Sequence, residues 1–150
     1  MIYVVFDSKY GNTKLVAEKI VEGISQVKGT ETSTANVKAV DMKKIADSDA
    51  ILIGSPNHIG KPARRIEEFI GKLSKIDLKA RWVAVFDTHL ANDMRAHDKM
   101  EKMLCEKVPG LRLITPGLSI RVEGFLKGPI SEGELPKSIE FGKAIAMRVK

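Results

Sequence analysis

Cysteine is almost missing from this chain: Cys105 stands alone among 150 residues. One thiol excludes an intrachain disulfide and any cysteine-based metal cluster, and it fits a reducing compartment, so the expected location is cytoplasmic. Histidine is nearly as scarce. His58, His89 and His97 lack the H-x-x-x-H spacing of a helical metal site, so no metal is expected. Aromatic residues make up 5% of the chain, and the lysines and arginines are spread along it, with only Lys43-Lys44 and Arg64-Arg65 adjacent. Without a recognition-helix pattern or stacking aromatics, nucleic acid is not an expected partner. The apolar runs are too short to cross a bilayer, and the first has no basic stretch before it, so neither a membrane span nor a secretion signal is expected.

What is present describes an ordinary globular domain, 43% hydrophobic and 29% charged, with no repeat or interdomain linker, and residues 1–150 are read as one domain. The formal charge of +6 favours acidic partners. Apolar runs and amphipathic stretches alternate from end to end. Strands are expected at Ile2–Phe6, Thr32–Val40, Ala50–Ile53, Trp82–Phe86, and within Leu111–Val122, the last broken at Pro116-Gly117. Helices are expected from Leu15, after Asp41, from Pro62, across Met100–Val108 and from Glu134. Continuous apolar strands between amphipathic helices imply a parallel sheet covered on both faces. His97 and Cys105 fall on the fourth helix, where a surface imidazole and a half-buried thiol are expected.

In such sheets ligands gather past the carboxyl ends of the strands, which points to three loops. The first runs Asp7-Ser8-Lys9-Tyr10-Gly11-Asn12-Thr13, directly between a buried strand and a helix. Unpaired N–H groups at the helix start, joined by hydroxyl and amide side chains, make a place for an anion. Ser8, Asn12 and Thr13 can donate, and Gly11 permits unusual dihedrals and close approach. A plain turn capped by Asn12 or Thr13 is the bland alternative. Neither G-x-x-x-x-G-K-[ST] nor G-x-G-x-x-G occurs, which excludes those two nucleotide-binding loops.

Ser8-Lys9-Tyr10-Gly11-Asn12-Thr13 resembles the phosphate loop of flavodoxins, commonly Ser/Thr-x-Thr-Gly-Asn-Thr. The stretch from Asp49 to Pro56 resembles the third strand and flavin-flanking loop of that family. The C-terminal GLSIRVEGFLKGPISEGELPKSIEFGKAIA is similar to the tails of single-domain members. The resemblance implies a doubly wound five-stranded sheet in the order 2-1-3-4-5, with FMN at the junction of strands one and three; flavodoxins are themselves the standard example of that placement. It implies phosphate contacts from Ser8 through Thr13. It implies ring contacts from Pro56, Asn57, His58, Ile59 and Gly60, with His58 or Ile59 covering the flavin. It also implies contacts from Thr88, His89, Leu90 and Asn92, where the family's stacking tyrosine is missing.

The implied function is electron transfer, with no catalytic side chain required. A flavin-dependent quinone or protoporphyrinogen reductase, or a relative that has lost FMN and serves as an interaction module, are the rivals. The family is typically acidic, whereas this chain is basic and carries Lys61, Arg64 and Arg65 after the flavin loop. A redox partner with an acidic docking surface is therefore expected.

Overall fold

Strand β1 (Ile2–Phe6) is buried at every position, and its side chains alternate between two cores. Tyr3 and Val5 face one core; Ile2, Val4 and Phe6 face the other. The same alternation continues across β3 (Ala50–Pro56) and β4 (Trp82–His89), which explains why these strands are apolar throughout rather than at every second residue. The computed structural model describes residues 1–90, 96–124 and 127–150. The first core is closed by α3 (Arg64–Leu73), through Ile66, Phe69, Ile70 and Leu73, and by Met100 and Leu104 of α4 (Ala96–Lys107). The second is closed by Val16, Ile20 and Ile24 of α1 (Asn12–Ser25), with Ile145 and Ala146 of α5 (Leu135–Val149).

The main path of the sheet is parallel, in the expected order: β2 (Thr32–Asn36), β1, β3, β4, β5 (Arg112–Leu113). A minor sixth strand, β6 (Leu118–Arg121), pairs with β4 beyond β5, because Pro116-Gly117 splits the last expected strand in two. Its register carries β4 three residues past the expected end at Phe86, to His89. Strand β2 is shorter than expected. Asn36 Oδ1 accepts from the Lys38 N–H at 2.9 Å and turns the chain into a short 3-10 segment, Val37–Ala39. Helix α2 (Met42–Asp47) begins at Asp41, whose carboxylate accepts from the N–H groups of Lys43 and Lys44. Helix α3 starts at Arg64, two residues after the expected Pro62. Cys105 is exposed rather than half-buried.

Helices α1 and α5 touch backbone to backbone. A β-carbon added at Gly23 would lie 1.9 Å from the Ile139 carbonyl oxygen, and one at Gly142 would lie 2.0 Å from that of Ile20. Such overlap forces the helices apart. Gly71 in α3 has nothing within 4 Å of an added β-carbon. Gly142→Ala should therefore destabilise the fold by about 1–3 kcal/mol through overpacking, and Gly71→Ala should stabilise it by about 0.5–1 kcal/mol through helix propensity. Urea unfolding checks both; equal shifts would show that helix propensity, not contact, governs both glycines.

Candidate functional site

The first loop leaves β1 toward the face covered by α1. The Asp7 carboxylate is buried and accepts from the Ser8 N–H at 2.9 Å. Ser8 Oγ accepts from the N–H groups of Gly11 at 3.1 Å and Lys14 at 3.3 Å, so this hydroxyl organises the start of α1. Gly11 is the N-cap with φ 92°, and an added β-carbon would meet nothing within 4 Å. Its glycine is required by the dihedral, not by space. The cap is thus Gly11, without a side-chain cap bond, and not Asn12 or Thr13. Thr13 turns inward: its hydroxyl lies 2.9 Å from that of Thr88, both buried, and ties the first loop to the end of β4.

The second loop is a tight hairpin. Ser55 Oγ donates to the Pro56 carbonyl at 2.8 Å and accepts from the Ala63 N–H at 2.7 Å, which pins the hairpin base. His58 and Lys61 exchange backbone hydrogen bonds of 2.8 and 3.1 Å around Ile59 (φ 53°) and Gly60 (φ 79°). Asn57 is 2% exposed and its N–H donates to the Thr88 carbonyl at 2.8 Å. Both polar atoms of its side-chain amide are buried without a hydrogen-bond partner among the described residues. Leaving such a group unpaired costs about 1–3 kcal/mol, so the amide is suited to a ligand with donors and acceptors of its own.

Of the third loop, Thr88 and His89 are buried at the end of β4. The His89 ring contacts the Leu90 carbonyl oxygen through Nδ1, and its own carbonyl accepts from the Val122 N–H at 2.8 Å. Leu90 is partly exposed. Asn92 lies outside the described residues.

Ser8, Lys9, Tyr10, Asn12, Thr13, Pro56, His58 and Thr88 line one narrow slot of about 10 Å³. All eight belong to the set expected from sequence. Gly11 borders it as the N-cap, while Ile59 does not line it and is 96% exposed. A segment not anticipated from sequence also approaches. Gly128, at φ 102°, brings its backbone so near Asn12 that an added β-carbon would lie 2.9 Å from Asn12 Oδ1. Lys127 and Lys9 place their ammonium groups 6.0 and 5.3 Å from the Tyr10 ring centroid. With Lys14 on the first turn of α1, these lysines give the loop a positive surround.

Such a setting fits a phosphate monoester of about two negative charges, received by helix-start N–H groups and lysines. The buried Asn57 amide fits the other requirement of FMN, a ring edge that gives and takes hydrogen bonds.

Behind the slot, Asp87 is fully buried. Its Oδ1 accepts from the Ser119 hydroxyl at 2.5 Å, and its Oδ2 accepts from the His97 N–H at 2.9 Å and contacts His97 Nδ1 at 3.0 Å. His97 is therefore 8% exposed, not a surface imidazole. One carboxylate joins the end of β4 to the start of α4 and so sets the span that the third loop must bridge. Burial opposes a charged imidazole here. The Asp87 hydrogen bond and the negative fields of Asp87, Asp98 and Glu101 outweigh it and hold the pKa of His97 above its ordinary 6.5.

Comparison with known proteins bears on the family and the fold. The Flavodoxin domain family matches residues 3–116. A flavodoxin of Clostridium saccharobutylicum is 31% identical over 87 residues, which are 58% of this chain and 54% of that protein. An NAD(P)H dehydrogenase (quinone) of Trichlorobacter lovleyi is 22% identical over 67% of this chain and 61% of its own. The chain thus spans little more than half the length of these curated relatives. Among solved structures, a flavodoxin from the domain Archaea superposes with a TM-score of 0.84 at 23% identity, over 99% of this chain and 97% of that one, a likeness of fold.

The raised pKa of His97 has a definite sign. Its charged form is favoured by folding, so the stabilisation is complete below the unfolded value of 6.5 and is lost as pH rises through the folded pKa. Denaturant midpoints followed upward from below pH 6.5 should decline in that window, and His97→Gln should flatten the decline. An unchanged slope in the variant would assign the titration to another group.

Proposed function

This chain belongs to the flavodoxin family, and on that premise we propose that it is an electron carrier that holds FMN, the family's cofactor, across the ends of β1, β3 and β4. The observation that supports this reading best is the convergence of Ser8–Tyr10, Asn12, Thr13, Pro56, His58 and Thr88 on one slot at the start of α1. FMN when bound supplies one- and two-electron exchange. The chain's own residues bind and orient it. Ser8 accepts from the Gly11 and Lys14 N–H groups and so orders the start of α1 that receives the phosphate, and Lys14 and Lys127 balance its charge. Asn57 supplies a buried amide whose hydrogen bonds are unfilled among the described residues. His58, at the base of the hairpin, and Thr88, at the end of β4, would flank the ring.

No general acid or base is assigned. The partner is a redox protein with an acidic docking surface, because the chain carries a formal +6 and Lys61, Arg64 and Arg65 follow the flavin hairpin. Attraction of this kind speeds encounter at low salt and fades as salt rises.

A second reading, a quinone reductase of the same fold, draws on the likeness to the Trichlorobacter dehydrogenase and on a third loop without a stacking tyrosine. Steady-state turnover of a quinone with a reduced nicotinamide separates it from a carrier, which would show none at comparable flavin load.

The phosphate assignment is tested by comparing FMN with riboflavin, which has no phosphate. Losing a hydrogen-bonding arrangement around a charged acceptor costs about 1.5–3 kcal/mol. Ser8→Ala should thus weaken FMN roughly tenfold or more and leave riboflavin nearly unchanged. Equal losses for the two ligands would place the phosphate elsewhere.

A further inference from the structure

The hairpin between Asn57 and Pro62 contains a residue that folding alone would not select. Two-residue hairpin turns with positive φ at both central positions strongly favour Asn-Gly or Gly-Gly. Here the pair is Ile59-Gly60, with Ile59 at φ 53°. A β-branched side chain in that region is an outlier that costs about 1–2 kcal/mol. Packing returns nothing, because Ile59 is 96% exposed. Of the exposed large hydrophobic residues among the described residues it is the most exposed, and Tyr10 of the first loop, at 46%, is another. An apolar side chain held outward on a strained turn points to use rather than stability.

The surroundings say what kind of use. Beside the tip lies a cleft of about 670 Å³, bordered by His58 and lined by Lys9, Lys38, Arg64 and Arg65 against only two carboxylates, Asp7 and Glu68. Both carboxylates already have cations nearby, Glu68 at 3.1 Å from Arg64 and Asp7 at 3.9 Å from Arg65. Lys9 and Lys38 meet no carboxylate among the described residues; Lys9 sits over the Tyr10 ring. Lys61, at the foot of the hairpin, is exposed as well. An apolar point in a basic field is the complement of an apolar socket rimmed with carboxylates. Small apolar anchors within charged rims are the common anatomy of protein interfaces.

We propose that Ile59 is the apolar anchor by which this protein docks an acidic redox partner, with the partner's carboxylates seated in the Lys9–Lys38–Arg64–Arg65 cleft. The inference rests on the electron-carrier reading and adds to it a residue, a surface and a partner chemistry. Docking there brings the partner against the hairpin that flanks the flavin. It also accounts for an isoleucine at a position where asparagine would relax the turn.

The test uses the FMN-loaded protein and, as a probe, a reduced acidic [2Fe–2S] ferredoxin, with dithionite as a small reductant that needs no docking. Ile59→Asn suits the turn and removes the apolar tip; Ile59→Leu keeps an apolar tip. In stopped flow, Ile59→Asn should slow electron entry from the ferredoxin by about tenfold, leave the dithionite rate unchanged and leave thermal stability equal or higher. Ile59→Leu should transfer at close to the wild-type rate. Arg64→Glu should slow the ferredoxin reaction and reduce its salt dependence.

An unchanged ferredoxin rate in Ile59→Asn overturns the docking role and leaves the carrier reading standing. A loss of FMN affinity in that variant assigns Ile59 to the flavin instead, and a change in sedimentation assigns it to contact with a second copy of the chain. A wild-type protein that dithionite reduces but the ferredoxin does not contradicts the acidic partner. Failure to take up FMN removes the carrier reading, and the inference with it.

Discussion

The site exists because β1 and β3, hydrogen-bonded neighbours from Ile2↔Ala50 to Phe6↔Gly54, send their chains to opposite faces of the sheet. After β1 the chain turns to α1 on one face, and after β3 it turns to α3 on the other. The loops cannot cover each other, and a crevice remains above the strand ends. Both turns are enforced by burial: Val16 and Ile20 draw α1 down on one side, and Ile66 and Phe69 draw α3 down on the other. Gly54 completes the arrangement. A β-carbon there would lie 2.1 Å from the Phe86 ring, so the row that supports the crevice closes only with glycine at this position.

Two buried polar connections then hold the third loop relative to the first. The hydroxyls of Thr13 and Thr88 meet at 2.9 Å, and Asp87 gathers Ser119 and His97 at the base of the loop. In a low-dielectric setting, polar groups with satisfied partners restrict geometry strongly, because any displacement leaves one of them unpaired. The Asn57 amide stands in contrast, since its atoms have no such partner among the described residues. The supports are satisfied, whereas the Asn57 amide, between the slot residues Pro56 and His58, is not.

Most of the architecture was legible in the amino-acid pattern because a doubly covered sheet requires continuous apolar strands, and Ile2–Phe6, Ala50–Ile53 and Trp82–Phe86 supply them. The first loop was legible because strand, Gly-Asn-Thr and helix follow one another without a linker. His97 was misplaced for a physical reason. Its burial depends on Asp87, ten residues earlier on another element, and no periodic signal along α4 marks that pairing. Lys127 and Gly128 were hidden likewise, since they reach the first loop only through the register of β6 and the turn after it. The early end of β2 follows from a local Asn36 side-chain bond that competes with the sheet.

The central claim is that these loops hold one FMN for reversible electron exchange. Its most direct measurement is anaerobic reduction and reoxidation of the FMN-reconstituted protein, followed by visible absorbance with no substrate added. The account predicts one FMN per chain, retained through the cycle, with the electrons put in recovered in full by an outer-sphere oxidant. A chain that takes up no FMN, or that releases it when reduced, would contradict it.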